Sequence, residues 1–234
     1  ESHFVPGQVL LIESGSARLL GEQGTRLSTL TKLEAGQLVG AASLLRGAPC
    51  EDVRAASELV ALRISDEAFL DLVRHNSDVS ADCRKHVWAA ELAALLTSLL
   101  DKAPKQTRSL SSWLDELLPQ AHLLDPTDND AIQSAFNAKR RLFVGGKPSE
   151  GGHTELGEEL TNVDEISALP TDIHQLPLRL IALPSADIQE LHQDTQAELV
   201  VAEVVGNVAQ DKSSQEDIPK APLRPPVSRF NSSK

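Results

Sequence analysis

The residues best placed for chemistry lie in the run Gly36-Gln37-Leu38-Val39-Gly40-Ala41-Ala42-Ser43-Leu44-Leu45-Arg46-Gly47-Ala48-Pro49-Cys50. A strand-ending glycine, a short apolar turn of helix and a closing Gly-Ala-Pro describe a compact loop. Such a loop holds a small ligand between backbone amides rather than between side chains. The backbone amides near Gly40 and Ala42 are the ones such a loop would offer. Arg46 and Arg54 are nearby cations, and Glu51 with Asp52 puts negative charge beside any bound anion.

Other constellations reduce to structural roles. Cys83 and His86 are three apart on a predicted helix and share a face, but two ligands do not make a metal site. A nucleophilic Cys50 would need a base that the sequence does not place beside it. His153, His174 and His192 stand in polar surroundings and read as solvated surface residues. Gly145-Gly146 and Gly151-Gly152 lack the spacing and the following Lys-Ser/Thr of a phosphate loop and read as turns. Glu155, Glu158, Glu159, Asp164 and Glu165 lack the order of a calcium loop and read as a solvated acidic loop. No catalytic residue, metal ligand or cofactor is assigned, so the chain reads as non-enzymatic.

Composition narrows the partner. The 234 residues carry 34 acids against 22 Lys and Arg, a formal charge of −12, whereas nucleic acid and anionic membranes demand a clustered basic face. Protein is the expected partner. Two cysteines are too few for a disulfide framework, which fits a reducing cytoplasm. No apolar run approaches the roughly 20 residues of a membrane helix, and the N-terminus has no signal-peptide pattern, so no direct membrane insertion is expected. The chain has no Met and opens on Glu1 just before a strand, as a segment of a longer protein would.

The elements that must position the loop follow from the apolar pattern. Val9–Ile12, Ala17–Leu20 and the Leu27, Leu30, Leu33 series, separated by glycine-containing turns, predict short antiparallel strands. Ser65 caps a helix with Asp66 and Glu67 in its first turn and with Phe69, Leu72 and Val73 on one face. A second helix is predicted from about Ala81 to Leu100, ended by Pro104, and a third around Leu110, Trp113, Leu114 and Leu117, stopped by Pro119. Trp88 and Trp113 read as core anchors. Asp128 caps a fourth helix with Ile132, Ala135 and Phe136 inward and Lys139, Arg140 and Arg141 in its last turn. Leu142–Val144 and Leu176–Leu183 predict a second β region, the latter an edge strand because of Pro177. Ala197–Val208 is apolar enough for strand or helix, and the prolines at 219, 222, 225 and 226 mark a linker or extended arm.

The expected class is α+β: an antiparallel, jelly-roll-like β-roll with its packing helix over 1–79, a helical region over 80–141, a smaller β-containing region over 142–205 and a proline-rich linker over 206–234.

Between Gly7 and Val79 the pattern resembles the cyclic nucleotide-binding domain family. Ser14-Gly15, Gly36, Val39-Gly40-Ala41, Leu44-Leu45 and Pro49-Cys50 carry the likeness, continued by Ala56, Leu59, Leu62 and Phe69. The resemblance implies a β-roll with a phosphate-binding cassette, whose candidate ligand contacts here are Gly40, Ala41, Ala42, Ser43 and Cys50. It also implies what is lost, because the family's ribose-binding glutamate falls at Ala41 and its phosphate-binding arginine at Cys50. Charge-assisted hydrogen bonds contribute about 1.5–3 kcal/mol each, so losing both weakens binding by two or more orders of magnitude.

Leu44–Glu51 and Leu176–Pro184 further resemble the regulatory segment ahead of the transporter core in cyanobacterial peptidase-type exporters of the ATP-binding cassette class. That resemblance implies the cytoplasmic part of an inner-membrane transporter in type I secretion, with other domains of the transporter or its cargo as partner. Two functional expectations result. One is a regulatory or docking module that has lost ordinary cyclic AMP or cyclic GMP binding. The other is a sensor of a small, nucleotide-like ligand held by the backbone amides of the cassette.

Overall fold

The computed structural model describes residues 5–23, 26–101, 108–149, 154–167 and 171–185. The stretch Ala197–Val208, the proline-rich tail and Pro104 lie outside these residues. Its first part is the expected antiparallel roll. Strands β1 (Gln8–Ser14), β2 (Ala17–Gln23), β3 (Arg26–Leu33), β4 (Leu38–Val39), β5 (Asp52–Ala55) and β6 (Val60–Ser65) form two three-stranded sheets, ordered β4-β1-β6 and β3-β2-β5. Leu11 pairs with Leu38 on one side and Leu62 on the other, while Leu19 pairs with Thr31 and Val53. Val9, Ile12, Ala17 and Leu19 are buried between the sheets and what covers them. Helix α1 (Ala41–Arg46) is inserted between β4 and β5, and every one of its residues is buried.

Local signals set most helix starts. Ser65 Oγ accepts from Ala68 N at 3.3 Å at the head of α2 (Asp66–His75). Its buried face is Phe69, Leu70 and Val73, and Leu72, read as inward, stands 44% exposed. The roll lies on the Leu70 side, a choice helical spacing leaves open. The long helix from Ala81 to Leu100 is in fact two, α3 (Ser77–Arg84) and α4 (Ala89–Leu100). Trp88 between them is extended, and Glu91 Oε2 accepts from its backbone N at 3.3 Å, restarting the helix. Trp113 is buried on α5 (Leu110–Leu117), and a 3-10 turn at Leu118–Gln120 holds Pro119. Trp88 is half-buried.

A third, four-stranded sheet has the order β7-β10-β8-β9, all antiparallel, from β7 (His122–Leu124), β8 (Arg140–Val144), β9 (Glu159–Leu160) and β10 (Leu180–Pro184). Two helices accompany it, α6 (Asn129–Asn137), capped by Asp128 Oδ1 on Ala131 N at 2.9 Å, and α7 (Val163–Ser167). Four expectations change here. The strand near Pro177 is central, because it starts at Leu180 and the proline's missing N–H never meets the ladder. Lys139 turns the chain at φ 54°, so Arg140 and Arg141 belong to β8, where Arg141 pairs with Glu159. Asp164 and Glu165 sit in the first turn of α7 rather than in a loop, with Asn162 Oδ1 accepting from Glu165 N at 2.9 Å. Strand β7 has no counterpart in the expected elements.

Strand β10 explains the unbroken apolar run Leu180–Leu183. Ile181 and Leu183 join a cluster with Leu19, Leu30, Phe143 and the buried faces of α4 and α5, while Leu180 and Ala182 join Ile132, Leu142, Val144, Leu160 and Ile166. A strand covered on both faces has no polar side to alternate with.

Candidate functional site

The cassette begins with a backbone constraint. Gly40 has φ +90°, and a Cβ there would lie 2.8 Å from the Gln8 carbonyl oxygen, so only glycine fits between β1 and the start of α1. The amides that open α1 face Glu51, which follows the Ala48-Pro49-Cys50 loop. Glu51 Oε1 accepts from Gly40 N and Oε2 from Ser43 N, each at 2.9 Å. The Glu51 carboxylate, expected to lie beside these amides, is bonded to them directly.

The remaining candidate residues have structural surroundings. Ala41 is fully buried with Val9, Leu44 and Phe69, and Ala42 packs in the cluster that holds α4 and α5. Ser43 Oγ accepts from Cys50 N at 3.1 Å and lies 3.5 Å from Cys50 Sγ, which staples the loop's end to α1. Burial pushes the Cys50 thiol up to about 12 despite the Ser43 hydrogen bond, so it is no ready nucleophile. Arg46 is buried and lines, with Leu20, Leu30 and Cys50, a cavity of about 520 Å³. A second cavity, about 420 Å³, opens beside Glu51 at the mouth of the roll and is walled by Leu19, Leu33, Leu38, Val87 and Trp88.

The other end of α1 is held by loops of the four-stranded sheet. Lys147 N donates to the Arg46 carbonyl at 2.8 Å, and His174 Nε2 lies 3.0 Å from the Leu44 carbonyl oxygen. Gly47 closes the helix at φ +68°, with its missing Cβ 2.7 Å from Ile173 Cδ1. His174 is therefore not the solvated surface residue expected from its polar neighbours, because Arg74 Nε and Nη2 also donate to its carbonyl at 3.3 and 3.2 Å. His153 and His192 lie outside the described residues. Cys83 is buried and His86 stacks on Trp88, and among the described residues no group of three or more His, Cys, Asp or Glu could hold a metal ion. Among the same residues no helix is long and apolar enough to cross a membrane.

Residues 5–76 match the family model of the cyclic nucleotide-binding domain. No curated protein matches the chain. The catabolite activator protein of Thermus thermophilus is 28% identical over 43% of this chain and 44% of its own, with a TM-score of 0.30. A cyclic nucleotide-binding domain from Methylobacillus flagellatus is 21% identical over 49% and 57%, with a TM-score of 0.30. The cyclic-di-GMP-responsive global regulator of Xanthomonas campestris is 17% identical over 45% and 62%, with a TM-score of 0.29. The chain covers less than two thirds of each of these proteins.

Proposed function

We propose that this domain is a non-enzymatic regulatory or docking module that has lost ordinary cyclic AMP and cyclic GMP binding and works without a bound nucleotide. One observation carries the reading: the Glu51 carboxylate already accepts from Gly40 N and Ser43 N. An incoming phosphate would have to displace it and would meet Ala41 and Cys50 where the family has a glutamate and an arginine. With α1 engaged by protein groups at both ends, the surface of the roll is available in one fixed form to a protein partner. The setting in a larger exporter rests on the phrases Leu44–Glu51 and Leu176–Pro184.

Calorimetric titration of cyclic AMP, cyclic GMP and cyclic di-GMP into the wild type and Glu51→Ala tests the module. The wild type is expected to give no heat up to millimolar ligand. Micromolar binding by the wild type would sink this reading and favour a small-ligand sensor working through the cassette amides. A parent gene without downstream membrane helices and an ATPase removes the exporter setting and leaves the module itself untouched.

A further inference from the structure

A second group of buried charges lies away from the cassette amides, between α3 and the segment 171–179. Asp172 is 1% exposed. Its Oδ1 accepts from His174 N at 2.7 Å and Leu176 N at 2.9 Å, its own N donates to the Leu176 carbonyl at 2.8 Å, and Gln175 closes the turn at φ +59°. Its Oδ2 is buried with no hydrogen-bond partner among the described residues. Asp172 lines a small cavity of about 20 Å³, together with Ser80, Arg84 and Arg179 and the apolar Leu45 and Val73.

The neighbours leave this oxygen to something else. Arg179 spends its guanidinium on Glu91, at 2.7 and 2.8 Å, and on the Cys83 carbonyl at 3.0 Å. Arg84 Nη2 donates to Asp125 Oδ2 at 2.7 Å, which leaves other N–H groups of the fork for the cavity. A buried carboxylate oxygen left unsolvated is strongly unfavourable. Two arginines in the wall disfavour a cation, the carboxylate disfavours an anion, and a cavity of this size exceeds the roughly 10–15 Å³ that one water needs without room for a larger ligand.

We propose that this cavity is a binding site for one ordered water, which donates to Asp172 Oδ2 and accepts from Arg84 or Ser80. The water completes the shell of Asp172 and so fixes the turn that places His174 on the Leu44 carbonyl and Ile173 N on the Lys147 carbonyl, at 3.0 and 3.1 Å. It is a pin under the segment that clamps the cassette helix. Burial also raises the Asp172 carboxyl above its usual range, and a protonated Oδ2 would find its acceptor in the same water.

A crystal structure at a resolution that shows ordered waters, together with water-to-amide cross-peaks at Leu176 N–H, tests the site. The expected result is one density peak within hydrogen-bond distance of Asp172 Oδ2, kept in Asp172→Asn, whose amide can still bond to water. An empty cavity, or Arg84 bonded directly to Oδ2, would overturn the proposal. Ser80→Val should expel the water and speed amide exchange at Ile173 and His174 by tenfold or more. Unchanged exchange in a folded Ser80→Val protein lacking the water would overturn its role as a pin. Should that variant not fold, the wild-type density and cross-peaks decide.

Discussion

The two ends of the cassette helix reach the same end by unlike routes. At its start the amides of Gly40 and Ser43 are met by a charged side chain 11 and 8 residues away in sequence. At its finish the carbonyl of Leu44 is met by His174, 130 residues away, and that of Arg46 by Lys147. Charge-assisted bonds contribute about 1.5–3 kcal/mol each and neutral ones about 0.5–1.5 kcal/mol, so bond for bond the start is the stronger end. The finish relies on its foundation, a segment anchored by the buried Arg179–Glu91 pair and the Asp172 turn. The amides at a helix start can therefore be met by one residue nearby in sequence, while coupling to the four-stranded sheet needs an assembled core.

The comparison breaks first at Arg179. Arg179→Met leaves Glu91, 1% exposed, as an unpaired buried charge and is expected to lose about 3–5 kcal/mol in urea unfolding, with much of it recovered by adding Glu91→Leu. A loss below about 1 kcal/mol would mean that the clamping segment is anchored elsewhere. The next contrast sets Gly40→Ala against Gly47→Ala. Both positions have positive φ, and strain of about 1–3 kcal/mol is expected at Gly40, where the obstacle is the Gln8 carbonyl. Gly47→Ala should lose less, because Ile173 Cδ1 is the movable end of a side chain. Equal losses would show that the finish is as rigid as the start.

A smaller effect appears in the acid limb. Burial acts upward on the Asp125 carboxyl, but hydrogen bonds from Thr127 and the Arg84 guanidinium outweigh it and hold the group below its usual 3.8. Because the folded-state value is depressed, the stabilisation is present above the unfolded value and is lost as pH falls through the folded one. Asp125→Asn should accordingly flatten the loss of melting temperature between about pH 5 and about pH 2, and an unchanged acid limb would contradict the pairing. The smallest signal is chemical. With its thiol pushed up to about 12, Cys50 should react with iodoacetamide far more slowly in the native protein near neutral pH than in urea, and rapid native alkylation would show that the stapled loop opens.

Features that depend on neighbours in sequence were legible before any fold was known. Ser65 and Asp128 cap their helices as their residue types demand, and the roll's strands follow their apolar runs. Leu72, the break at Trp88 and the place of β10 were not legible. Helical spacing cannot say which side the roll occupies, the interruption before α4 goes with Glu91 reaching back to Trp88 N, and an apolar run beside a proline looks the same at the edge or the centre of a sheet. Strand β7, three residues long, has too little pattern to register at all.

By itself the sequence determined the elements of the roll, the glycine before α1 and the presence of Ala41 at the start of the short helix and Cys50 after it. These are properties of residue type at short spacing. Only the tertiary structure decided that Glu51 accepts from the amides of Gly40 and Ser43, that His174 holds the far end of α1, and that Arg179 meets Glu91 across 88 residues. A charged or polar side chain carries no local record of its partner. Its role is set when folding removes water from around it and leaves only the groups that the packed core has brought within reach.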